Sequence, residues 1–89
     1  MRKTERRKEL NDRLRGVVAT ALKKYRESNE ISQAQLAQNL HMSVRSYSDL
    51  EHGISSPSAM TMVHFLLLME KEDQKEFLEF LKDALEKDE

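Results

Sequence analysis

Residues 32–53 read SQAQLAQNLHMSVRSYSDLEHG, and this stretch decides the fold. Ser32 and Ser43 each stand before a helical run, where a serine hydroxyl can accept hydrogen bonds from the free N–H groups of the first turn. Gln35 can reach back to Ser32 and complete a capping box. The second run stops at Gly53, a residue suited to the left-handed conformation that ends a helix. The stretch therefore predicts two short helices joined by a tight turn.

The apolar residues of this stretch predict how the two helices pack. Ala37 is small where the helices cross, so their backbones can approach closely. The wedge that fixes their angle consists of Leu36, Leu40, Tyr47 and Leu50. Because Tyr47 is buried in this arrangement, its hydroxyl needs a partner or a path to solvent. The second helix then presents its other face outward.

The chain before this stretch predicts one long helix that ends near Ser28. Its apolar residues recur at steps of three and four from Leu10 to Tyr25. Gly16 weakens the middle of that run by about 1 kcal/mol relative to alanine. Residues 1–10 are therefore expected to form either a basic arm or an extension of the helix, ahead of a core domain over residues 11–71.

The chain after it predicts two further helices. Ser58 can cap the first of them, in which every residue from Met62 to Met69 except His64 is apolar, so some of its surface is expected to meet a second chain. Asp73 and Glu76 predict a capping pair for the last helix. Residues 72–89 then form an acidic, amphipathic helix, a candidate dimerisation element.

Composition agrees with an all-α fold of five helices in one domain. The 89 residues are 35% charged and include two glycines, one proline and no cysteine, which excludes a disulfide framework and a zinc-thiolate site. Net charge is +7 over residues 1–26, −3 over residues 27–69 and −5 over residues 70–89. Polyanions are thus attracted to the first third of the chain. A cytoplasmic protein without a membrane span is expected.

Catalytic and metal-binding patterns are missing from the sequence. His41, His52 and His64 lack metal-ligand spacing, and two glycines cannot build a phosphate loop or a nucleophile elbow. We therefore expect neither an enzyme nor a bound metal or cofactor.

A longer pattern identifies a family. It reads Ser32-Gln33-x-x-Leu36-Ala37-x-x-Leu40-x-x-Ser43-x-x-x-Tyr47-Ser48-x-Leu50-Glu51-x-Gly53-x-x-x-Pro57-Ser58. This pattern resembles the helix-turn-helix domain of the lambdoid phage repressors and Cro proteins, the XRE-like family. The resemblance implies a compact five-helix, lambda-repressor-like DNA-binding domain. Where the family usually has glycine in the turn, this chain has His41, which we predict at positive φ.

The resemblance also implies roles for individual residues. Contacts to the DNA backbone fall on Gln33, Ser43 and His52. Contacts to bases fall on Val44, Arg45, Ser48 and Asp49. Arg26 and Glu51 correspond to a structural ion pair of the family.

Asp49 has two interpretations. It can accept a hydrogen bond from a cytosine amino group, or it can be an exposed charge paired with Arg45 across one helical turn. A carboxylate facing a duplex is repelled unless such a donor receives it.

These roles predict a sequence-specific transcription regulator, a repressor, that binds a near-palindromic operator on double-stranded DNA as a homodimer. The predicted dimer interface is Phe77, Phe80 and Leu81, unless the stripe of Leu10 and Leu14 covers that face within one chain. The alternative is an antitoxin-like or adaptor module whose main ligand is a partner protein, such as a toxin or an antirepressor. RNA binding through the basic segment is a third possibility, which lacks exposed aromatic platforms.

Overall fold

Five α-helices make up the structure, a computed structural model that describes residues 3–86. They are α1 (Lys3–Ser28), α2 (Gln33–Asn39), α3 (Val44–Glu51), α4 (Ala59–Leu68) and α5 (Lys71–Glu86). The described part of the chain contains no β-strand, so the prediction of an all-α, five-helix domain is confirmed. Among these five helices, none is both long enough and apolar enough to cross a membrane.

Serine side chains cap three of the helices. The hydroxyls of Ser32, Ser43 and Ser58 each accept a hydrogen bond, at 3.0 to 3.1 Å, from the backbone N–H three residues further on. These three caps were predicted. The reciprocal half of the capping box at Ser32 was predicted wrongly, because Gln35 Nε2 donates to Asn39 Oδ1 at 3.1 Å and turns along the helix instead of back to the cap.

Left-handed backbone ends α1, α2 and α3. His41 has φ 61° and Gly53 has φ 74°, as predicted for the turn and for the end of α3. Glu30, which follows α1, has φ 54° and was not predicted. The short turn at His41 keeps α2 and α3 in contact.

The two ends of the chain differ in part from the sequence prediction. Residues 3–10 continue α1 as an extension of the helix rather than an arm. The predicted capping pair of Asp73 and Glu76 is wrong, since α5 begins at Lys71 and its first turn is already closed by the bond from Gln74 N to Glu70 O at 2.8 Å. Asp73 lies inside that first turn, where a carboxylate interacts favourably with the helix dipole.

The hydrophobic core is built where α1, the α2–α3 pair and α4 meet. Its largest fully buried side chains are Tyr47, Phe65, Leu22, Leu36, Leu40 and Val18. Ala37 is also buried, which allows the close crossing of α2 and α3. Phe65 packs edge-on against Tyr25, with ring centroids 5.7 Å apart, and against Phe77, at 5.3 Å. Phe77 thus attaches α5 to the core.

α1 and α5 run antiparallel along each other. Arg13 NH1 donates to the carbonyl of Ala84 at 3.1 Å near one end, and Lys24 Nζ pairs with Glu76 Oε1 at 3.1 Å near the other. This antiparallel pair of long helices supports the smaller helix-turn-helix unit through contacts of α1 with α3.

Candidate nucleic-acid interface

α3 presents one face outward because its other face is locked in the core. Tyr47 and Leu50 are buried, one turn apart on the inner side. Val44, at 47% exposure, and Arg45 project into solvent. Residues 43–52 are therefore accessible along their outer side, where the side chain of Arg45 is exposed.

Arg45 and Asp49 offer unpaired charges on this outward face. Within residues 3–86, neither side chain makes a hydrogen bond or an ion pair, so the alternative pairing of Arg45 with Asp49 is not formed. Asp49 is half-buried, as is Ser48, whereas Arg45 is exposed. A guanidinium fork and a carboxylate one turn apart are thus available to an external partner.

Behind α3, Glu51 collects hydrogen bonds from three side chains. Arg26 donates from Nε to Oε2 at 2.8 Å and from NH2 to Oε1 at 3.2 Å, the two-pronged geometry that suits a carboxylate. Gln33 Nε2 donates to Oε1 at 2.7 Å, and the Tyr47 hydroxyl donates to Oε2 at 2.5 Å. We call these four residues the Glu51 cluster. It joins the end of α1, the start of α2 and the C-terminal half of α3.

The cluster keeps Glu51 ionised. Burial by itself raises the pKa of this carboxyl, but the hydrogen bonds from Arg26, Tyr47 and Gln33 outweigh burial and lower the pKa to about 2. The bond to Glu51 raises the pKa of Arg26 despite desolvation. Burial, together with the bond to Glu51, raises the pKa of Tyr47. All three groups therefore hold their ordinary charge state across the physiological range.

The expected backbone-contact residues lie around the N-terminal ends of α2 and α3 and the C-terminal end of α3. Gln33, the first residue of α2, donates one of its two amide N–H groups to Glu51, and the other N–H is available to a further acceptor. The Ser43 hydroxyl accepts from Ser46 N at 3.1 Å and donates to Ser46 Oγ at 3.0 Å. His52 Nδ1 lies 2.8 Å from the carbonyl oxygen of Ser48, which can only accept, so Nδ1 carries a proton.

Sequence reasoning found the Arg26–Glu51 pair but missed two members of the cluster. Tyr47 was expected to need a partner, and the i, i+4 spacing to Glu51 was the available signal for it. Gln33 was assigned to a phosphate alone. Its second role at Glu51 depends on the crossing of α2 and α3, which the sequence does not reveal.

Phe77, expected at a dimer interface, belongs to the core of the monomer. It is only 3% exposed, because it packs against Phe65, so it leaves little surface for a second chain. Of the other two residues of that predicted interface, Phe80 is 54% exposed and Leu81 is partly buried against the core.

A second apolar surface lies on α4. Met60 is 62% exposed, Val63 48% and Leu67 74%, and their spacing of three and four residues places them along one side of the helix. We call this surface the α4 stripe. Phe80, by contrast, lies on α5.

His41 and His64 approach each other, with ring centroids 4.8 Å apart. Over the described residues, no group of three or more histidine, cysteine or acidic side chains could hold a metal ion.

Comparison with known proteins agrees with this geometry. Residues 22–63 match the profile of a family described as Helix-turn-helix. The matched segment includes the last turns of α1, all of α2 and α3, and the first half of α4. No curated protein and no solved structure matches the chain.

Proposed function

Because residues 22–63 place this chain in the XRE-like family of helix-turn-helix DNA-binding transcription regulators, we propose that it recognises a specific DNA sequence by inserting α3 into the major groove. The observation that supports this proposal best is the outer face of α3. It carries an exposed Arg45 that has no partner within residues 3–86, on a helix whose tilt is fixed from behind.

Base recognition is assigned to four side chains of α3. Arg45 forks onto O6 and N7 of a guanine, the commonest specific contact of arginine in the major groove. Asp49 accepts from the amino group of a cytosine, and Val44 contacts a thymine methyl group. Ser48 lies on the same side of α3 and adds a hydrogen bond to a nearby base edge.

Backbone contacts orient α3 in the groove without reading sequence. Gln33 uses its remaining amide N–H on a phosphate, aided by the N-terminal end of α2. Since the hydroxyl of Ser43 is used by its cap, Ser43 contributes its main-chain N–H. His52 contributes Nε2, which donates to a phosphate when the ring is protonated.

The regulator acts as a homodimer on a near-palindromic operator. Two-fold symmetry requires half-sites about 34 Å apart, one turn of the duplex. A dimer that occupies a promoter excludes polymerase, so the proposed outcome is repression. The exposed Phe80 supplies apolar surface for a subunit contact.

In vitro selection from random duplexes at fixed ionic strength tests this proposal. We expect enrichment of a near-palindrome with half-sites about ten base pairs apart, each containing a G·C pair essential for binding. The control is a variant with Arg45→Glu, which faces the same groove with the opposite charge. Recovery of no motif by the unchanged chain, or of the same motif by the control, would refute the proposal.

A second candidate function is a protein-binding module of the antitoxin or adaptor type. The α4 stripe favours it, because three large exposed apolar side chains along one helix are typical of a surface that a partner covers. Co-purification of a second chain that is lost on Leu67→Glu, combined with no DNA selection, would establish this function instead.

A further inference from the structure

An apolar groove of about 290 Å³ lies between α1 and α5. Val17 and Ala21 of α1 and Phe77 of α5 line it, and the exposed Phe80 stands at its edge. We propose that this groove is the interface between two copies of the chain, in which the Phe80 ring of each copy enters the groove of the other. The inference rests on the proposed dimer and specifies which surfaces form it.

Gly16 provides the space that such a ring needs. A glycine inside a helix costs roughly 0.5 to 1 kcal/mol relative to alanine. A Cβ added at Gly16 would meet nothing within 4 Å, so packing inside the chain does not require a glycine there. Gly16 and Thr20, one turn apart, both line the groove and are exposed. Because both side chains are small, an aromatic ring from a second copy can lie close to the backbone of α1.

The protruding Phe80 ring acts as a knob and the recess at Gly16 acts as a socket. Because both lie on one surface, that surface is self-complementary. In a two-fold contact the same patch is used by both partners, and each residue pair occurs twice. Phe80 on α5 and Gly16 on α1 flank the same groove. A two-fold axis through the groove therefore places the Phe80 ring of each copy in the socket of the other. The two α1–α5 helix pairs then pack as a four-helix bundle.

Charge selects the arrangement of the helices in that bundle. Over residues 3–28, α1 has nine basic and four acidic residues, a net charge of +5. Over residues 71–86, α5 has three basic and six acidic residues, a net charge of −3. At the groove itself, Lys24 stands on one wall and Asp73 on the other. Placing α1 of one copy against α5 of the other pairs opposite charges twice, whereas α1 against α1 opposes like charges.

The position of the groove suits a dimer that binds DNA. Ala19 and Arg26 lie on the α3 side of α1, as shown by the approach to Gly53 and the bonds to Glu51. Steps of 100° per residue place Thr20 and Lys24 about 100° to 160° around the helix from them. Successive packed helices lie about 8 to 10 Å apart, so the path from α3 through α1, the second copy's α5 and the second copy's α1 to the second α3 crosses four spacings, about 32 to 40 Å. This distance is comparable with one turn of the duplex, about 34 Å.

Sedimentation equilibrium on the full chain tests the interface. The unchanged protein is expected to dimerise at micromolar concentration. Gly16→Leu fills the socket while improving helix propensity, and Phe80→Glu places a charge in the contact, so each should raise the dimer dissociation constant at least tenfold. Leu67→Glu, an equally drastic change in the α4 stripe, is the matched control and should leave dimerisation unchanged. A monomeric parent protein, dimerisation of Gly16→Leu like that of the parent, or loss of the dimer in Leu67→Glu would overturn the inference.

A DNA measurement separates this inference from the proposed function. The Gly16→Leu monomer should bind a duplex with one half-site as the parent does, and should lose the affinity gained from a second half-site. If the parent dimerises through the groove yet selects no DNA sequence, the proposed function fails alone. If it selects a sequence and binds both half-sites as a dimer that Gly16→Leu and Phe80→Glu leave intact, the groove inference fails alone.

Discussion

The Tyr47 hydroxyl donates a 2.5 Å hydrogen bond to Glu51 Oε2, one turn further along α3. The ring of Tyr47 is fully buried in the wedge between α2 and α3. Glu51 also accepts hydrogen bonds from Arg26 and Gln33. The same residue therefore fixes the helix angle through its ring and the Glu51 cluster through its hydroxyl.

Tyr47→Phe should lower the free energy of unfolding by about 1.5 to 3 kcal/mol, the range for a hydrogen bond to a charged group. The ring remains in the core, so the loss reports the hydroxyl alone. Urea unfolding measures it, and Tyr25→Phe is the control, since that hydroxyl makes only a 3.4 Å contact with the carbonyl of Leu68. Equal losses for the two variants would show that Glu51 gains nothing from Tyr47.

Stability should fall in acid as Glu51 is protonated. The pKa of this carboxyl is about 2 in the folded chain against an ordinary 4.5, so its contribution is complete above about pH 4.5 and is lost as the pH falls toward 2. That difference corresponds to roughly 3 kcal/mol. Unfolding measured at several pH values should show this loss in the parent and a flatter profile in Glu51→Gln. Parallel profiles would contradict the assignment of the acid sensitivity to Glu51.

His41→Gly should be more stable than His41→Ala by about 1 kcal/mol. Both variants lose the ring contact with His64, but only alanine keeps a Cβ at φ 61°, where an L-residue is strained. Thermal unfolding of the two variants compares them directly. If alanine equals glycine here, the turn carries no strain at this position.

Gln33→Ala and Arg45→Ala should weaken DNA binding in different ways. Loss of Gln33 removes a phosphate contact and should reduce affinity for all sequences alike, whereas loss of Arg45 should cost about 1 to 3 kcal/mol on the selected site and relax preference at one position. Fluorescence anisotropy on specific and scrambled duplexes at equal salt separates the two effects. Unchanged affinity in both variants would exclude α3 from the groove.

The starts of α2, α3 and α4 and the end of α3 could be predicted from the sequence because the signals for them are local. Ser32, Ser43 and Ser58 stand at the starts of α2, α3 and α4, and Gly53 ends α3. A hydroxyl before an apolar run and a residue free to adopt positive φ act within a few residues of their position.

Packing partners could not be predicted in the same way. Phe77, Phe80 and Leu81 lie on one amphipathic helix, and periodicity cannot tell which side of its stripe the domain itself covers. The structure resolves this, since Phe77 meets Phe65 and Phe80 stays exposed. The start of α5 was also misplaced, because Asp73 and Glu76 have the spacing of a cap although the first turn closes at Glu70.

The most direct test of the major-groove account replaces guanines of the selected site, one at a time, by 7-deazaguanine, which lacks the N7 acceptor. For the parent chain, we predict a loss of about 1 to 3 kcal/mol in binding free energy at one guanine of each half-site. We predict no loss at that guanine for Arg45→Ala. Binding by the parent that is insensitive to every replacement, or a loss that persists in Arg45→Ala, would contradict the account.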